Sequence, residues 1–563
     1  MKTLSEAKID TDVLVVGAGT GGMMAAISAT DSGVDVTLCE KGNAKRSGGI
    51  AAGNDHFKCY MPEIHGPAVK ENLVRDGMKD VLADEDVVRK YIDRSYEVVQ
   101  KWENWGISMK TNGHYEFTGH SWPGSSGKPG EAGKTDRTYL HFSDENMCIK
   151  LEKQVRDRGV HIMNRVMVTE LLKDPEGRII GAIGISTREP KLVIFRAKSI
   201  ILNTGSVSPN RLYPPPHLIG YSMAEPGTGD GAMMAFKAGA DLHSAEICKR
   251  RQTALIFGPW FGKGTWIGVL RDSEGKPIAP PYLLEPNPEI GDPAVENDDA
   301  FDYIRAKGKG PVWMDPRGIS KEDEQYMRWG FKSNALDPFL DWLDREKIDI
   351  RETRFEFIVM QPTTKIQPRI SANFETTIRG LYAVTGENLP RSAVGGLVSG
   401  EEAAKNAQRL ELSPLNSHSE KIVLAKQSYE EILSHQGEGY ADWREAQWAI
   451  WQIMHCYASP PLRTENTLMA GYNQLLRIRE KAQRILKARN QHELYHCLGV
   501  LNLMGIAELV LLAVNERKES RDQARRQDYP FTNPMLNKLL VITQKDGKPT
   551  FRWEKPRRLS GKA

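Results

Sequence analysis

The residues whose types and spacing could do chemistry begin at Gly17-Ala18-Gly19-Thr20-Gly21-Gly22. The spacing is G-x-G-x-x-G: the first glycine permits a tight turn, the second lets a pyrophosphate approach the backbone, and the third lets helix and strand pack closely. Glu40 and Lys41 close the next apolar run, and the Glu40 carboxylate stands where an acid accepts hydrogen bonds from a ribose. Arg46-Ser47-Gly48-Gly49 follows. Its small residues let the backbone pass close to a flat ring system, and Ser47 can hydrogen-bond that ring or a phosphate. Asn203, Thr204 and Gly205 end another apolar run and read as cofactor-loop residues. In Gly227-Thr228-Gly229-Asp230-Gly231, a helix start could present N–H groups to a phosphate or a ring edge, while Asp230 equally reads as a helix cap. Gly386 and Glu387 close a further strand-like run. Basic residues are plentiful: Lys58, Lys365, Arg369, Arg391 and the triplet Lys249-Arg250-Arg251. Such a set suits an anionic substrate; taken singly, each also reads as surface charge. His492-Glu493-Leu494-Tyr495-His496 matches H-E-x-x-H, with Glu516 downstream, and would place both histidines on one helix face. Its context is helical and nothing else suggests a protease, so packing or a subunit contact is the expectation and zinc the alternative.

The elements that must position these residues are legible around the first motif. Val13–Val16 is a short buried strand, Met23–Thr30 a helix-forming run, and Val34–Cys39 a second strand. A strand, the glycines, a helix, a second strand and a terminal Glu within one unit of about thirty residues predict a dinucleotide site; the pattern alone leaves FAD and NAD open. Two more blocks of the same kind lie far away, 198–206 and 380–387. Between them a stretch rich in Pro and Trp reads as an inserted cap. From about Leu412 the pattern is helical, with apolar residues at three- and four-residue spacing over 420–434 and 465–518. The expected division is therefore a nucleotide domain in two parts (1–240 and 355–411), a cap at 241–354, and a helical region at 412–563, with the active site at the junction of cap and nucleotide domain.

Composition bounds the rest. The chain has 563 residues, 26% charged and 40% apolar, with a net charge of +3. That is ordinary for a soluble protein of several domains and gives no argument for nucleic acid as a partner. Six cysteines are scattered without a C-x-x-C pair, which suits a reducing compartment and gives no sign of an iron–sulfur cluster or zinc knuckle held by this chain. The N-terminal decapeptide MKTLSEAKID lacks a signal-peptide core, and the expected location is cytoplasmic. Leu498–Val514 is apolar but shorter than the ~20 residues of a membrane span and contains Asn502 and Glu508; a buried core helix is the expectation.

Four segments carry a resemblance: VVGAGTGG with Glu40, GTGDGAMMAFKAGA, FETTIRGLYAVTGE, and Glu519-Ser520-Arg521 with Asp528-Tyr529-Pro530. The sequence resembles the flavoprotein subunits of the fumarate reductase and succinate dehydrogenase family, which includes L-aspartate oxidase and the alpha subunit of adenylylsulfate reductase. The resemblance implies an α/β fold, a Rossmann-like FAD-binding domain interrupted by an α+β capping domain and followed by a C-terminal helical domain. It also implies FAD, and electrons exchanged with an iron–sulfur, ferredoxin-like partner subunit. RSGGIAAGNDHFKCY, WENWGI, GKGPVWMD, ARNQHELYHC and the ten-residue spacing from Arg391 to Gly400 resemble the adenylylsulfate reductase branch. Lys58, Lys365, Arg369 and Arg391 match loops that the family places at the flavin; with Arg251, the residues Lys58, Lys365 and Arg391 are the candidate catalytic set. Departures matter as well. Members with covalent FAD carry a His where this chain has Gly48, which implies a non-covalent flavin. The fumarate and succinate enzymes carry a substrate-gripping His in Pro-Thr-x-His-Tyr; here the segment is Pro362-Thr363-Thr364-Lys365-Ile366, and a Lys binds an anion only as a point charge. The adenylylsulfate branch has an Asn where Lys58 stands. The resulting expectation is an FAD oxidoreductase acting on a small anion, with an adenylylsulfate-reductase-like or fumarate-reductase-like activity. The alternatives are a reductase or dehydrogenase of an organic acid or acyl thioester, and a flavin electron-transfer subunit with no substrate of its own.

Overall fold

The computed structural model describes residues 3–51, 56–79, 83–111, 113–118, 137–142, 144–214, 227–249, 252–255, 266–278, 301, 304, 307–333, 337–359, 363–384, 388–415, 419–460, 463–521 and 524–559. The three distant nucleotide-type blocks meet in one sheet. Its parallel strands run in the order His161–Asn164, Val36–Glu40, Ser5–Val16, Lys191–Leu202, and Leu381–Ala383 pairs with the last of these. Ile179–Ser186 and Val166–Lys173 add an antiparallel extension. Val13–Val16 are buried on both faces, which is why this part of the strand reads as an unbroken apolar run instead of an alternating one. The register sets Val16 beside both Cys39 and Leu202, so three strand ends open together at the glycine turn.

The first helix, Thr20–Asp31, lies against the helix Leu389–Ala407 through small residues. A Cβ on Gly396 would lie 2.0 Å from the Gly21 carbonyl oxygen, and one on Gly400 2.4 Å from that of Ala25. Backbones can approach this closely only where no side chain intervenes.

The inserted stretch builds its own core. Strands Gln252–Ala254, Phe355–Val359, Val312–Asp315 and Val269–Arg271 form an antiparallel sheet in that order, covered by helices Lys321–Ser333 and Asp337–Arg345. Trp266 sits at its centre, with its ring 4.9–6.1 Å from those of Phe331, Phe339, Phe355 and Phe357, the spacing at which aromatic pairs add to simple burial.

The C-terminal helices are Glu420–Ser434, Trp443–Ala458, Glu465–Ile485 and Gln491–Glu516; Asp442, Thr464 and Asn490 cap the last three with their side chains. The last is long and apolar enough to cross a membrane by length and composition alone, and 83% of its apolar window is buried inside the protein. Helical periodicity is not the whole of this region, which also contributes to a small sheet. Leu539–Lys545 and Lys548–Glu554 form a hairpin that joins Leu242–His243 and Gln367–Pro368 in four strands. Arg517 ties this end inward: its guanidinium donates to Glu246 Oε1 at 2.9 and 3.0 Å and to Glu519 Oε1 at 2.7 Å, and all three side chains are buried.

Candidate flavin and anion site

At the nucleotide end each glycine has a distinct reason. Gly17 adopts φ +97°, and a Cβ there would lie 2.3 Å from the Asn203 carbonyl oxygen; a Cβ on Gly22 would lie 1.8 Å from that of Gly17. Gly19 precedes the first helix with no side-chain cap, so the first-turn N–H groups are available to an anion. Gly21 faces the second helix of the pair instead, with a would-be Cβ 2.7 Å from the Ser392 carbonyl oxygen. Gly48, at φ +73°, lays the Ser47–Gly49 loop against Gly19, its own would-be Cβ 2.9 Å from the Gly19 Cα. Added Cβ atoms on Gly49 and Gly205 meet nothing within 4 Å. An uncapped helix start, an acid at the second strand end and two open glycine positions fit a dinucleotide such as FAD.

Glu40, buried at the end of the second strand, accepts the Ala18 N–H at 2.9 Å, the Gly42 N–H at 2.6 Å and the Ser47 hydroxyl at 2.6 Å. Ser47 thus turns toward Glu40, and Arg46 is exposed. Lys41 and Asp230, separate residues in the sequence reading, form an ion pair with Nζ 2.7 Å from Oδ2, the carboxylate buried and the lysine half-buried. Thr228 and Asn502 donate to the other Asp230 oxygen at 2.6 and 2.9 Å. Burial alone would raise the Asp230 pKa, but the Lys41 charge and these hydrogen bonds hold it below the ordinary carboxylate value. Burial likewise disfavours the Lys41 ammonium, and Asp230 overrides it, leaving its pKa raised. Thr204 Oγ1 accepts the Gly231 N–H at 3.0 Å, fixing the start of the Asp230–Ala238 helix to the strand end. Gly386, Glu387 and Arg251 lie outside the described residues.

Of the basic residues expected at the substrate end, Lys58 lies on the strand His56–Lys58, which pairs with Tyr139–His141 and, through it, with Glu116–Thr118. The alternation of strand side chains sends Phe57, Leu140 and Phe117 into the core. It gathers His56, Lys58, Tyr139, His141 and Glu116 on the opposite face. Lys58 Nζ is 5.3 Å from the Tyr139 ring centre, and His141 Nδ1 is 3.5 Å from Glu116 Oε2. Contact with His141 is the foremost reason the Glu116 pKa is lowered. Lys365 follows the strand Thr363–Thr364, which pairs with Cys248–Lys249, and its N–H donates to the Ile247 carbonyl at 2.9 Å. Arg391 stands in the first turn of Leu389–Ala407, where Asn388 caps its N–H at 3.0 Å. Its guanidinium lies 6.0 Å from the Tyr91 ring centre and has no carboxylate partner among the described residues. Arg369, grouped with these residues on sequence, is instead buried between Asp84 at 3.5 Å and Glu554 at 3.1 Å.

In the H-E-x-x-H segment Glu493 and His496 are engaged within the protein, while His492 is exposed with its Nε2 3.3 Å from that of His496. Glu493 accepts the Arg489 N–H at 2.8 Å and pairs with its guanidinium. The His496 ring stacks on Trp443 at 4.1 Å. Burial, then the charges of His492 and nearby arginines, push the His496 pKa down to about 4. Among the described residues no three His, Cys, Asp or Glu side chains are grouped to hold a metal.

Sequence reasoning missed Asn502 and Tyr495 and the His56, His141 and Glu116 side chains. The second set leaves a trace, polar residues two apart in His56-Phe57-Lys58 and Tyr139-Leu140-His141. The first set leaves only a polar Asn in an apolar helix.

Comparison with known proteins bears on the fold and the cofactor. The family description "FAD binding domain" matches residues 12–250, and "Fumarate reductase flavoprotein C-term" matches residues 449–557. One of the subunits of fumarate reductase (CoM/CoB) from Methanothermobacter marburgensis is 24% identical over 572 residues, covering 95% of this chain and 97% of that protein. In fold, adenylylsulfate reductase of Archaeoglobus fulgidus superposes with a TM-score of 0.80 at 22% identity, covering 99% of this chain and 97% of that one. Escherichia coli quinol fumarate reductase superposes at 0.78 with 20% identity, covering 98% of each. With an FAD-binding unit at one end and the fumarate reductase flavoprotein C-terminal region at the other, the chain is an FAD-dependent oxidoreductase and belongs to the flavoprotein family of fumarate reductase and succinate dehydrogenase.

Proposed function

We propose that this chain is the flavin subunit of a complex that moves electrons between a small anionic substrate and an iron–sulfur partner. The observation that carries this reading is Arg391. A cation at a helix N-terminus is opposed by the helix dipole, and a half-buried guanidinium ordinarily finds a carboxylate, as Arg369 and Arg517 do here. Arg391 has none among the described residues, so its side chain suits an anion supplied from outside; the helix end contributes only its dipole, because Asn388 takes the Arg391 N–H and Pro390 has none. Lys58 and Lys365 are the other two cations of this proposed pocket, and Arg251 is a fourth on sequence grounds.

FAD supplies the exchange between two-electron substrate chemistry and one-electron transfer. The chain's own part is to bind and orient. Arg391 offers a planar fork to a carboxylate, sulfate or phosphate oxygen, while the lysines act as point charges that stabilise charge developing on the substrate. Glu40, Lys41, Ser47, Thr204, Gly205 and Asp230 hold the cofactor's ribose, phosphate and ring-edge groups in this reading. Gly48 leaves no imidazole to form a covalent link, so FAD is held non-covalently.

Among named activities, adenylylsulfate reduction leads on the segments that resemble that branch, and reduction or oxidation of an organic acid or acyl thioester comes next. Anaerobic titration of the purified holoprotein separates these from a flavoprotein without a substrate, for which the Lys365 departure speaks. An adenylylated anion, an acid or a thioester should bleach or reoxidise the flavin. If only an iron–sulfur protein does so, the chain transfers electrons without a substrate of its own.

A further inference from the structure

We propose that the helix Gln491–Glu516, which lies in the C-terminal region, is part of the cofactor site. In this proposal Asn502 and Tyr495 are positioning residues that hold the Lys41–Asp230 pair where FAD meets it, so that cofactor binding and docking of this helix are coupled. The proposal rests on the reading of Lys41 and Asp230 as cofactor residues.

Tyr495, Gly499, Asn502, Gly505 and Ile506 recur at three- and four-residue spacing and so share one face of the helix. That face lies on the Gly227–Gly231 turn and the helix it starts. A Cβ on Gly499 would come 3.2 Å from the Thr228 side chain, and one on Gly505 2.4 Å from the Met233 methyl. A Cβ on Gly229, which is at φ +73°, would lie 2.7 Å from Ile506. The two backbones approach closely because glycine stands on both sides.

One polar group crosses this apolar seam. The buried Asn502 amide donates to Asp230 Oδ1 at 2.9 Å, beside the Thr228 hydroxyl at 2.6 Å, while Lys41 takes Oδ2 at 2.7 Å. Tyr495 lies under the Lys41 ammonium, 5.6 Å from it to the ring centre. The Asp230 carboxylate therefore takes its position from both the nucleotide-binding strand and this helix. A ligand that binds only the assembled arrangement stabilises the docked helix, and the docked helix strengthens binding by the same factor. The charged and titratable groups around Asn502 and Tyr495 are Asp230, Lys41, Glu40 and Arg211, with the His496 and His492 rings 4.5 and 5.9 Å from that of Tyr495.

The test uses the full-length protein, stripped of flavin and reloaded. In hydrogen exchange of the unmodified protein, added FAD should slow the amides of 495–506 by at least tenfold. Asn502→Asp sets a second carboxylate against Asp230. It should bind FAD at least tenfold more weakly than the parent at about pH 8 and regain affinity as the pH falls and the two acids share a proton. Asn502→Leu should be weak at every pH, and Tyr495→Phe should keep the ring and bind near the parent level. A merely structural role for Asn502 gives no recovery in acid. Exchange of 495–506 indifferent to FAD, or Asn502→Asp binding FAD like the parent, overturns the coupling. Asp230→Asn keeps the failures distinct: if it too binds FAD like the parent, the assignment of Asp230 to the cofactor fails, whereas lost binding there with an unaffected Asn502→Asp refutes the coupling alone.

Discussion

Replacing Gly49 by alanine adds one methyl group to the loop that faces the first helix start, and its consequence depends on whether that loop lines the flavin. In the protein alone the new Cβ meets no atom within 4 Å, and Gly49 has no positive φ. Folding should therefore be unaffected, or favoured by the ~0.4–1 kcal/mol that a restricted unfolded chain contributes. Against a bound ring the same methyl overpacks the wall, at a cost of about 1–3 kcal/mol, so FAD should bind roughly 5- to 150-fold more weakly. Gly22→Ala is the contrasting change. Its Cβ would lie 1.8 Å from the Gly17 carbonyl oxygen, so strand and helix must part, and the loss should reach about 4 kcal/mol or more with or without cofactor. Thermal unfolding of the flavin-free proteins and quenching of FAD fluorescence read the two effects separately. If Gly49→Ala destabilises the flavin-free protein, the open space at this loop is not real. If it binds FAD at the parent level, the loop does not line the cofactor.

Acid precipitation should release the yellow cofactor into the supernatant, because Gly48 replaces the His of covalent relatives; colour in the pellet would contradict this. The Lys41–Asp230 pair sets a pH window. Asp230 has a lowered folded pKa, so its contribution is present above ~4 and lost as pH falls through the folded value. Lys41 has a raised one, so its contribution is present below ~10.4 and lost only as pH rises past the folded value. Thermal midpoints measured down to about pH 3 should fall more steeply in the parent than in Asp230→Asn; equal slopes would show that the pair contributes nothing. Arg517→Ala leaves Glu246 buried without its cation, while Glu519 keeps Arg521 at 2.9 Å, so unfolding free energy should fall by about 3–5 kcal/mol. A loss below about 1 kcal/mol, within the range of an exposed pair, would show that the network is hydrated.

The nucleotide end was legible in the sequence because its determinants are local. A strand, a glycine turn, a helix and a terminal acid lie within one short unit, and each has a signature of its own. The return of 191–202 and 381–383 to the same sheet could be read from two more apolar runs that end in glycine. What stayed hidden is what pairs across long separations. Lys41 and Asp230 were each readable as cofactor residues, but nothing along the chain joins them, and Asn502 reaches Asp230 across 272 positions. The hairpin 539–554 carried a local signal, two seven-residue runs joined by Asp546-Gly547; its partners, Leu242–His243 and Gln367–Pro368, are two residues long, too short to show a period. Arg369 and Arg391 looked alike as basic loop residues. Only the fold shows the first between two carboxylates and the second without one among the described residues.

Whether Arg391, with Lys58 and Lys365, receives an anionic substrate next to the flavin is read most directly from anaerobic flavin absorbance of the holoprotein and of Arg391→Gln during titration with candidate anions. An adenylylated anion, organic acid or acyl thioester should bleach or reoxidise the parent's flavin. Arg391→Gln should retain its FAD but lose at least about 90% of that response, the tenfold that ~1.4 kcal/mol of lost charge-assisted hydrogen bonding gives. A flavin that ignores every such anion while exchanging electrons with an iron–sulfur protein, or an Arg391→Gln protein that responds like the parent, would contradict this role for Arg391.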